Sequence, residues 1–574
     1  MQRYLLITGA HDRDEVLAVL AARSMATIFQ NDLIVVGSDT DMPCHLLPNG
    51  AGVVLGQLFD RDYRAANLDS YPGQETGPGP SELAKDYWGS YVAILQRGAI
   101  IARDPSGALP AFYRQEKGHL FVSNDVDLLA DSFAVCWDML LDNIASEGFH
   151  DEKTCLADIY ELRPGMYLHC TDPRPIEHPF WSPWDHCHLQ PAISKARVAE
   201  ELETTICKTV ASLVSSYRKP LCLASGGLDS SIVLAALAAA NVETACLTIS
   251  TADPSGDERR YAAIVADHFG FALLEAQYET DHVSVASCAA PYLPHPKRRP
   301  LFQSMAHLAA KAAGEAGADM FINGNGGDQI FSFTMSATPI LDCLKAKRPL
   351  LEILATFENV SLLTGCSLGE AIMGLWRRSR KPTGYVWPMS NLFLKADRVL
   401  AAPKHPWLNC PPHALPGKAH HIAMILRMQE HIENPFQTNI PPMITPLMAQ
   451  PILEACLAIQ SWHWIQGGQN RAVAREAFRH RLPAEILTRK GKPGPASFSA
   501  LLLQTYLPQM KERLLDGHLA REGIIDRTAV ETAMANILAQ DVNQCRRLLQ
   551  LADAEAWCTH WHGRAVSVAA AKHS

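Results

Sequence analysis

Hydrophobic and polar positions change period once along the chain. Up to about residue 170 the apolar residues come in short runs, such as Gly52-Val53-Val54-Leu55-Gly56-Gln57-Leu58-Phe59, Gly89 to Leu95 and Ala99 to Arg103. Each run is closed by Gly, Pro, Asp or Asn, as antiparallel strands are. From Thr171 to Pro191 comes a stretch holding Pro173, Pro175, Pro179, Pro183, Trp181 and Trp184. Proline fixes φ and removes donors, so this stretch is expected to be an extended connector rather than an element. Beyond it the pattern predicts a helix over Ala199 to Ser215, a buried strand over Leu221 to Ala224 and a helix over Asp229 to Ala240. A strand over Thr244 to Ile249 and a helix over Glu258 to Phe269 follow. Strand alternating with helix implies a parallel sheet covered on both faces. After about Leu350 the apolar period is mostly helical. The chain is therefore expected to divide into residues 1–190 and 191–574, a β-rich front part and a larger α/β-to-α rear part.

Composition narrows the class. With 574 residues, 48% hydrophobic and 19% charged, the chain reads as globular rather than disordered. Its net charge of −9 argues against a general nucleic-acid binder. The longest apolar stretch, Ile232 to Val242, is about half of what a membrane span requires. The opening residues run at once into His11-Asp12-Arg13-Asp14-Glu15 and show no export signal. Fifteen cysteines are scattered singly with no Cys-x-x-Cys pair, as reduced, mostly buried thiols of a cytosolic protein would be. These readings predict a cytoplasmic chain with neither nucleic acid nor membrane as a partner.

The chemistry concentrates in two glycine-rich loops. In Leu221-Cys222-Leu223-Ala224-Ser225-Gly226-Gly227-Leu228-Asp229-Ser230-Ser231 a strand ends, a Ser-Gly-Gly turn follows and a helix begins. Converging backbone N–H groups and the positive end of a helix together cradle phosphate. Ser225, Ser230 and Ser231 add hydroxyl donors. The Gly-Lys-[Ser/Thr] ending of a Walker loop is absent, so γ-phosphoryl transfer is not favoured. A second strand, Ala318 to Asn323, leads into Gly324-Asn325-Gly326-Gly327-Asp328-Gln329. Parallel sheets bind ligands where their strands end, so both loops are expected on one edge, with Asp229 and Asp328 offering carboxylates to Mg²⁺. The histidines show no metal-ligand spacing, and His295-Pro296-Lys297-Arg298-Arg299-Pro300 reads as a solvated surface turn.

Ser-Gly-Gly-Leu-Asp-Ser-Ser resembles the PP-loop of N-type ATP pyrophosphatases. With Gly256-Asp257-Glu258 and the Asp328 loop, the chain is similar to the glutamine-dependent asparagine synthetase superfamily. In the front part, Gly89-Ser90-Tyr91-Val92-Ala93, the Arg103-Asp104-Pro105 segment, Phe121-Val122-Ser123-Asn124 and Leu162-Arg163-Pro164-Gly165 match its glutaminase strands in order. The resemblance implies an α/β fold: an N-terminal Ntn-hydrolase-like αββα domain, then a PP-loop ATP pyrophosphatase domain with helical additions. It also implies a reaction in which a carboxylate attacks the α-phosphorus of ATP, pyrophosphate leaves, and an amine displaces AMP. ATP and Mg²⁺ are the implied cofactors. Ser225, Gly226, Gly227, Asp229 and Ser230 would bind pyrophosphate, Asp229 and Asp328 Mg²⁺, and Leu223, Ile249 and Gly324 would line the nucleotide site.

Departures from the family pattern redirect the reading. Where the family's glutaminase places its nucleophilic Cys this chain has Gln2, whose amide cannot attack another amide. The glutamine-binding Asn-Gly-Glu strand aligns with Leu55-Gly56-Gln57. The front domain is thus expected to release no ammonia, leaving the substrate to supply the amine. β-Lactam synthetases and lasso-peptide macrolactam synthetases both close rings this way. The Tyr that β-lactam synthetases carry in the second loop is Asn325 here, and the segments Ala449 to Glu454, Gly467 to Arg475 and Leu482 to Ile486 resemble the lasso cyclases more. The implied partners are a precursor peptide and a leader-peptide protease. In Thr488-Arg489-Lys490-Gly491-Lys492-Pro493-Gly494, spacing makes Lys492 the lysine that stabilises the adenylate, with Lys490 the alternative. A small-molecule amidating enzyme and a non-catalytic binding scaffold are the competing expectations.

Overall fold

A computed structural model describes residues 2–8, 13–39, 42–69, 71, 77–170, 175–189, 194–297, 300–433, 441–489, 491, 496–536 and 541–573. The front part is a sandwich of two six-stranded antiparallel sheets. In one, Tyr4–Thr8 lies between Ile34–Ser38 and His119–Ser123; in the other, Tyr87–Leu95 lies between Val53–Asp60 and Ile100–Arg103. Period-two alternation explains the packing. Tyr4 and Leu6 face Val53, Leu55, Val92 and Ile94 of the other sheet, while Leu5 and Ile7 face away. That outer face is covered by the rear part, since Leu5, Ile7 and Phe112 share one core with Leu502, Leu548, Trp557 and Trp561. Helices Ala496–Asp516 and Val542–His573 supply these last residues. Residues from both sides of position 190 therefore share a hydrophobic cluster.

The rear part is built on a five-stranded parallel sheet ordered Ala272–Gln277, Ala245–Ser250, Pro220–Leu223, Met320–Asn323 and Met443–Ile444. Leu221, Leu247 and Phe321 bury one face against Ala309, Ala312 and Ala313 of the helix Leu301–Ala316. Cys222, Cys246 and Ile322 bury the other against the helix Leu228–Ala239. Strands covered on both faces read as continuous apolar runs, which is why they are visible in the sequence. The two strands not anticipated are the outermost ones: Ala272–Gln277 is only half buried, and Met443–Ile444 is two residues long. Helices after residue 350 fit the predicted period.

The connector is more structured than its prolines suggest. His178–Pro179 pairs with Met166–Tyr167, and Pro183–His186 forms one 3-10 turn. The Ser182 hydroxyl accepts from Trp184 N, while the Trp181 indole is buried and donates to Glu454 Oε1 at 3.1 Å. Burying the Trp181 indole and part of the Trp184 indole outweighs the local preference of proline for an extended path. Of the fifteen cysteines seven are buried, seven partly buried, and only Cys44 is exposed. Among the described residues no helix is long and apolar enough to cross a membrane.

Trp557 is fully buried and its indole N–H donates to Leu293 O at 3.1 Å. Trp557→Ala is expected to destabilise the chain by about 3–5 kcal/mol through lost burial and the cavity left behind. A lower urea midpoint, with proteolysis reaching both the front sheet and the C-terminal helix, is the outcome to look for.

Candidate active site

Pro220–Leu223 and Met320–Asn323 pair in parallel with Leu223 opposite Asn323, so both strands end at the same level. The loops that leave them start side by side. In the first, Gly226 has φ +60°, and a Cβ there would sit 2.4 Å from the backbone of Tyr261. Gly227 caps the helix Leu228–Ala239 and its carbonyl accepts from the Ser230 and Ser231 hydroxyls at 3.2 and 2.8 Å. Ser225 Oγ lies 3.3 Å from Ser230 Oγ and accepts from Gly227 N at 3.4 Å. The loop is thus closed on itself, with its helix start turned toward the cavity as a phosphate-binding turn requires.

The second loop presses against the first. A Cβ on Gly327 would lie 2.2 Å from the Asp229 carboxyl carbon. This contact brings together carboxylates that are 99 residues apart in the chain. Arg471 Nη1 stands between them, 3.0 and 3.1 Å from the two Asp229 oxygens and 2.8 Å from Asp328 Oδ1. The Asp229 side chain is 12% exposed and that of Asp328 49%, so the pair opens outward. Two carboxylates converging on one cation are the hard oxygen donors that Mg²⁺ takes, and the residues present fit that ion.

A cavity of about 460 Å³ adjoins both loops. Leu223, Ser225, Asp229, Ser230, Ile249, Gly324 and Asp328 line it, and Gly226 and Gly227 shape the turn beneath. Lys490 and Lys492 lie outside the described residues. Their neighbour Arg489 carries a role that sequence reasoning missed. Its guanidinium donates to Gly226 O at 3.0 Å and Ser225 O at 3.4 Å, pairs with Glu258 at 2.7 Å, and lies 4.0 Å over the Tyr261 ring. Arg489 thereby ties the phosphate loop to Gly256-Asp257-Glu258. Arg471 was also missed. The motifs containing both arginines were legible, but nothing along the chain says that either reaches the loop.

The deep wall of the cavity corrects a further expectation. His295 and Lys297 are buried, not part of a solvated turn; Arg298 and Arg299 lie outside the described residues. Lys297 Nζ donates to Glu433 Oε2 at 2.8 Å and Glu430 O at 2.7 Å, and His295 Nε2 is 2.9 Å from Glu433 Oε2. His150 joins from the front part, 3.1 Å from Glu161 Oε2, and Arg103 pairs with Glu161 at 2.7 Å. His150, Glu161, His295 and Glu433 bring polar atoms within 4.8 Å of one another, from three distant stretches of chain that no spacing rule could join. Burial alone would raise the Glu161 carboxyl, but His150 and Arg103 bring it down to about 2. Glu433 is likewise held well below the usual range by His295, Lys297 and His150, against its own burial. Burial also lowers His295 and His405, and takes His421 to about 3. His150 moves the other way: burial lowers it, but the paired carboxylates outweigh that.

The phosphate-loop turn, the paired aspartates and the ends of the parallel strands thus meet at one edge of the sheet, beside one cavity. The sequence pattern of the asparagine synthase family matches residues 201–385 and 442–562, more than half of the chain. The protein belongs to the asparagine synthase family, which places it among ATP-dependent carbon–nitrogen ligases. No curated protein matches the chain at a significant level.

Gly327→Ala should force the second loop off Asp229 and weaken ATP binding about tenfold or more while leaving the melting temperature nearly unchanged; titration calorimetry with ATP reads it. A second expectation concerns acid. His295, His405 and His421 are held neutral in the fold, so below about pH 6.5 the unfolded chain binds more protons and stability falls. Below about pH 4.3 Glu161 and Glu433 act in the same direction; His150 opposes, and so do Asp104, Asp125 and Asp342, which burial raises to about 6, and Glu177, which burial raises to about 7. Burial also lowers His45, His186, His420, His463, His518 and His560, so the imidazoles kept from protonating outnumber the raised groups, and the urea midpoint should be lower at pH 5 than at pH 7.5.

Proposed function

We propose that the protein activates a carboxylate of its substrate as an acyl-adenylate and joins it to an amine of the same molecule, closing a macrolactam ring on a lasso precursor peptide. The observation that carries this reading is the meeting of the phosphate loop with Asp229 and Asp328 at one cavity. In the first half-reaction a carboxylate oxygen bonds to the α-phosphorus and the bond to pyrophosphate breaks. Ser225, Ser230 and the N–H groups of the turn hold the departing pyrophosphate. Asp229 and Asp328 would hold Mg²⁺, which neutralises phosphate charge when bound. In the second half-reaction the amine nitrogen bonds to the acyl carbon, AMP leaves with the bridging oxygen, and the amine loses a proton. The peptide is then shorter by one water.

An internal amine is supported by the front part. Leu55 is fully buried and Gln57 Nε2 donates to Leu213 O at 3.4 Å, so the strand that aligns with the family's glutamine-binding residues is turned to packing. A cavity of about 460 Å³ suits a nucleotide and two reacting groups, with the rest of a peptide outside. Lys492 is the preferred stabilising charge for the adenylate, with Lys490 the alternative. A leader-peptide protease is the partner that this reading adds.

Exchange of labelled pyrophosphate into ATP should depend on a carboxylate substrate and fall at least about a hundredfold in Asp229→Ala. Incubated with ATP, the precursor peptide should lose one water. Exchange without water loss for any peptide, but with amidation of a small amino acid derivative, would move the assignment to the small-molecule branch. Absence of ATP binding would overturn the enzymatic reading altogether.

A further inference from the structure

Exposed apolar side chains are concentrated in one part of the surface. Twelve of the nineteen large ones among the described residues fall between positions 333 and 386. Most stand on two neighbouring helices, Leu350–Thr364 and Leu368–Ser379, which pack on each other and on the helix Thr338–Lys345. Their inner sides form a small core through Val360 and Ala371 with Ile340 and Ile465. Their outer sides are apolar too. Leu351, Leu354 and Leu362 lie within one arc of the first helix, with Leu351 81% exposed. Ile372, Met373 and Trp376 do the same on the second. A surface helix normally turns polar residues outward, so a pair that is apolar on both sides is built to be covered.

Charge says by what. Between residues 344 and 381 there are seven basic and three acidic residues, in a chain whose net charge is −9. Glu352 is already paired with Arg348, and Glu370 is used to cap its own helix at Ser367, which leaves Glu358, exposed within the arc of the leucines, as the one acidic group on the outer side. The basic residues cluster at one end of the pair, because the chain runs up one helix and back down the other. Lys345 and Lys347 precede the first helix and Arg377, Arg380 and Lys381 end the second, with Lys345 Nζ donating to Thr383 Oγ1 at 3.1 Å. Arg380 lies 3.9 Å over the Trp376 ring. A second copy of the same face would bring like charges together. An apolar ridge with a basic rim and a tryptophan at the boundary matches the interface of an anionic lipid bilayer, where leucines enter the acyl region and arginines stay at the headgroups.

We propose that this helix pair is a peripheral docking surface for anionic membranes. The ridge continues toward Phe333, which lies 5.9 Å from the Arg471 guanidinium, so a docked chain would hold its cavity near the lipid surface. The earlier expectation of no membrane partner rested on the lack of a spanning segment, and interfacial binding needs none.

Co-sedimentation of the full chain with vesicles tests the idea. Vesicles containing phosphatidylglycerol should pellet about tenfold more protein than vesicles of phosphatidylcholine alone, and added salt should weaken this. Arg377→Gln with Arg380→Gln should remove the preference for anionic lipid, and Leu351→Ser with Ile372→Ser should abolish pelleting, both with unchanged ATP–pyrophosphate exchange. Wild-type protein left in the supernatant with anionic vesicles would overturn the proposal. So would pelleting that survives both double variants. A dimer in sedimentation velocity that Leu351→Ser with Ile372→Ser dissolves would assign the face to self-association instead.

Discussion

Two negatively charged side chains from separate loops have to be held close enough to act on one cation, and the rest of the rear part is arranged around that demand. Carboxylates at such distance repel, and a cation between them offsets the repulsion. Arg471 supplies it in this structure, 2.8 to 3.1 Å from both. The approach is possible because Gly327 has no Cβ to meet Asp229. The parallel register, with Leu223 opposite Asn323, sets the two loops at one height before any side chain contributes. Arg489 then fixes the first loop from behind through the carbonyls of Ser225 and Gly226.

The front part does not stand apart from this site. Its sandwich buries one outer face under the C-terminal helices, and Arg103, Glu161 and His150 reach the network of His295, Lys297 and Glu433 behind the cavity. Buried charges are costly unless each finds a partner, and here the partners come from both parts of the chain. The front part, whose strand Val53–Asp60 is given over to packing, is in this way joined to the wall of the cavity beside the phosphate loop.

Legibility in the sequence followed burial and locality. The strands Pro220–Leu223, Ala245–Ser250 and Met320–Asn323 were readable because both faces are covered and their residues are almost all apolar. The edge strand Ala272–Gln277 was not, because half burial leaves a mixed pattern. The Ser-Gly-Gly turn was readable because a phosphate loop is local: its glycines, serines and helix start lie within a few residues. The lysine and histidine at 297 and 295 were misread as solvated, since charge and proline alone look the same in an exposed turn and in a buried ion network.

The sequence by itself determined the class of protein, the two loops, the two aspartates and the order of strand and helix around them. It determined these because each depends on neighbours along the chain or on the period of a single element. Only the tertiary structure decided that Arg471 sits between the aspartates, that Arg489 braces the turn, and that His150 and Glu161 of the front part meet His295 and Glu433 behind the cavity. Those contacts join residues more than a hundred positions apart. They depend on which faces the packed elements turn toward one another, and no local pattern encodes that.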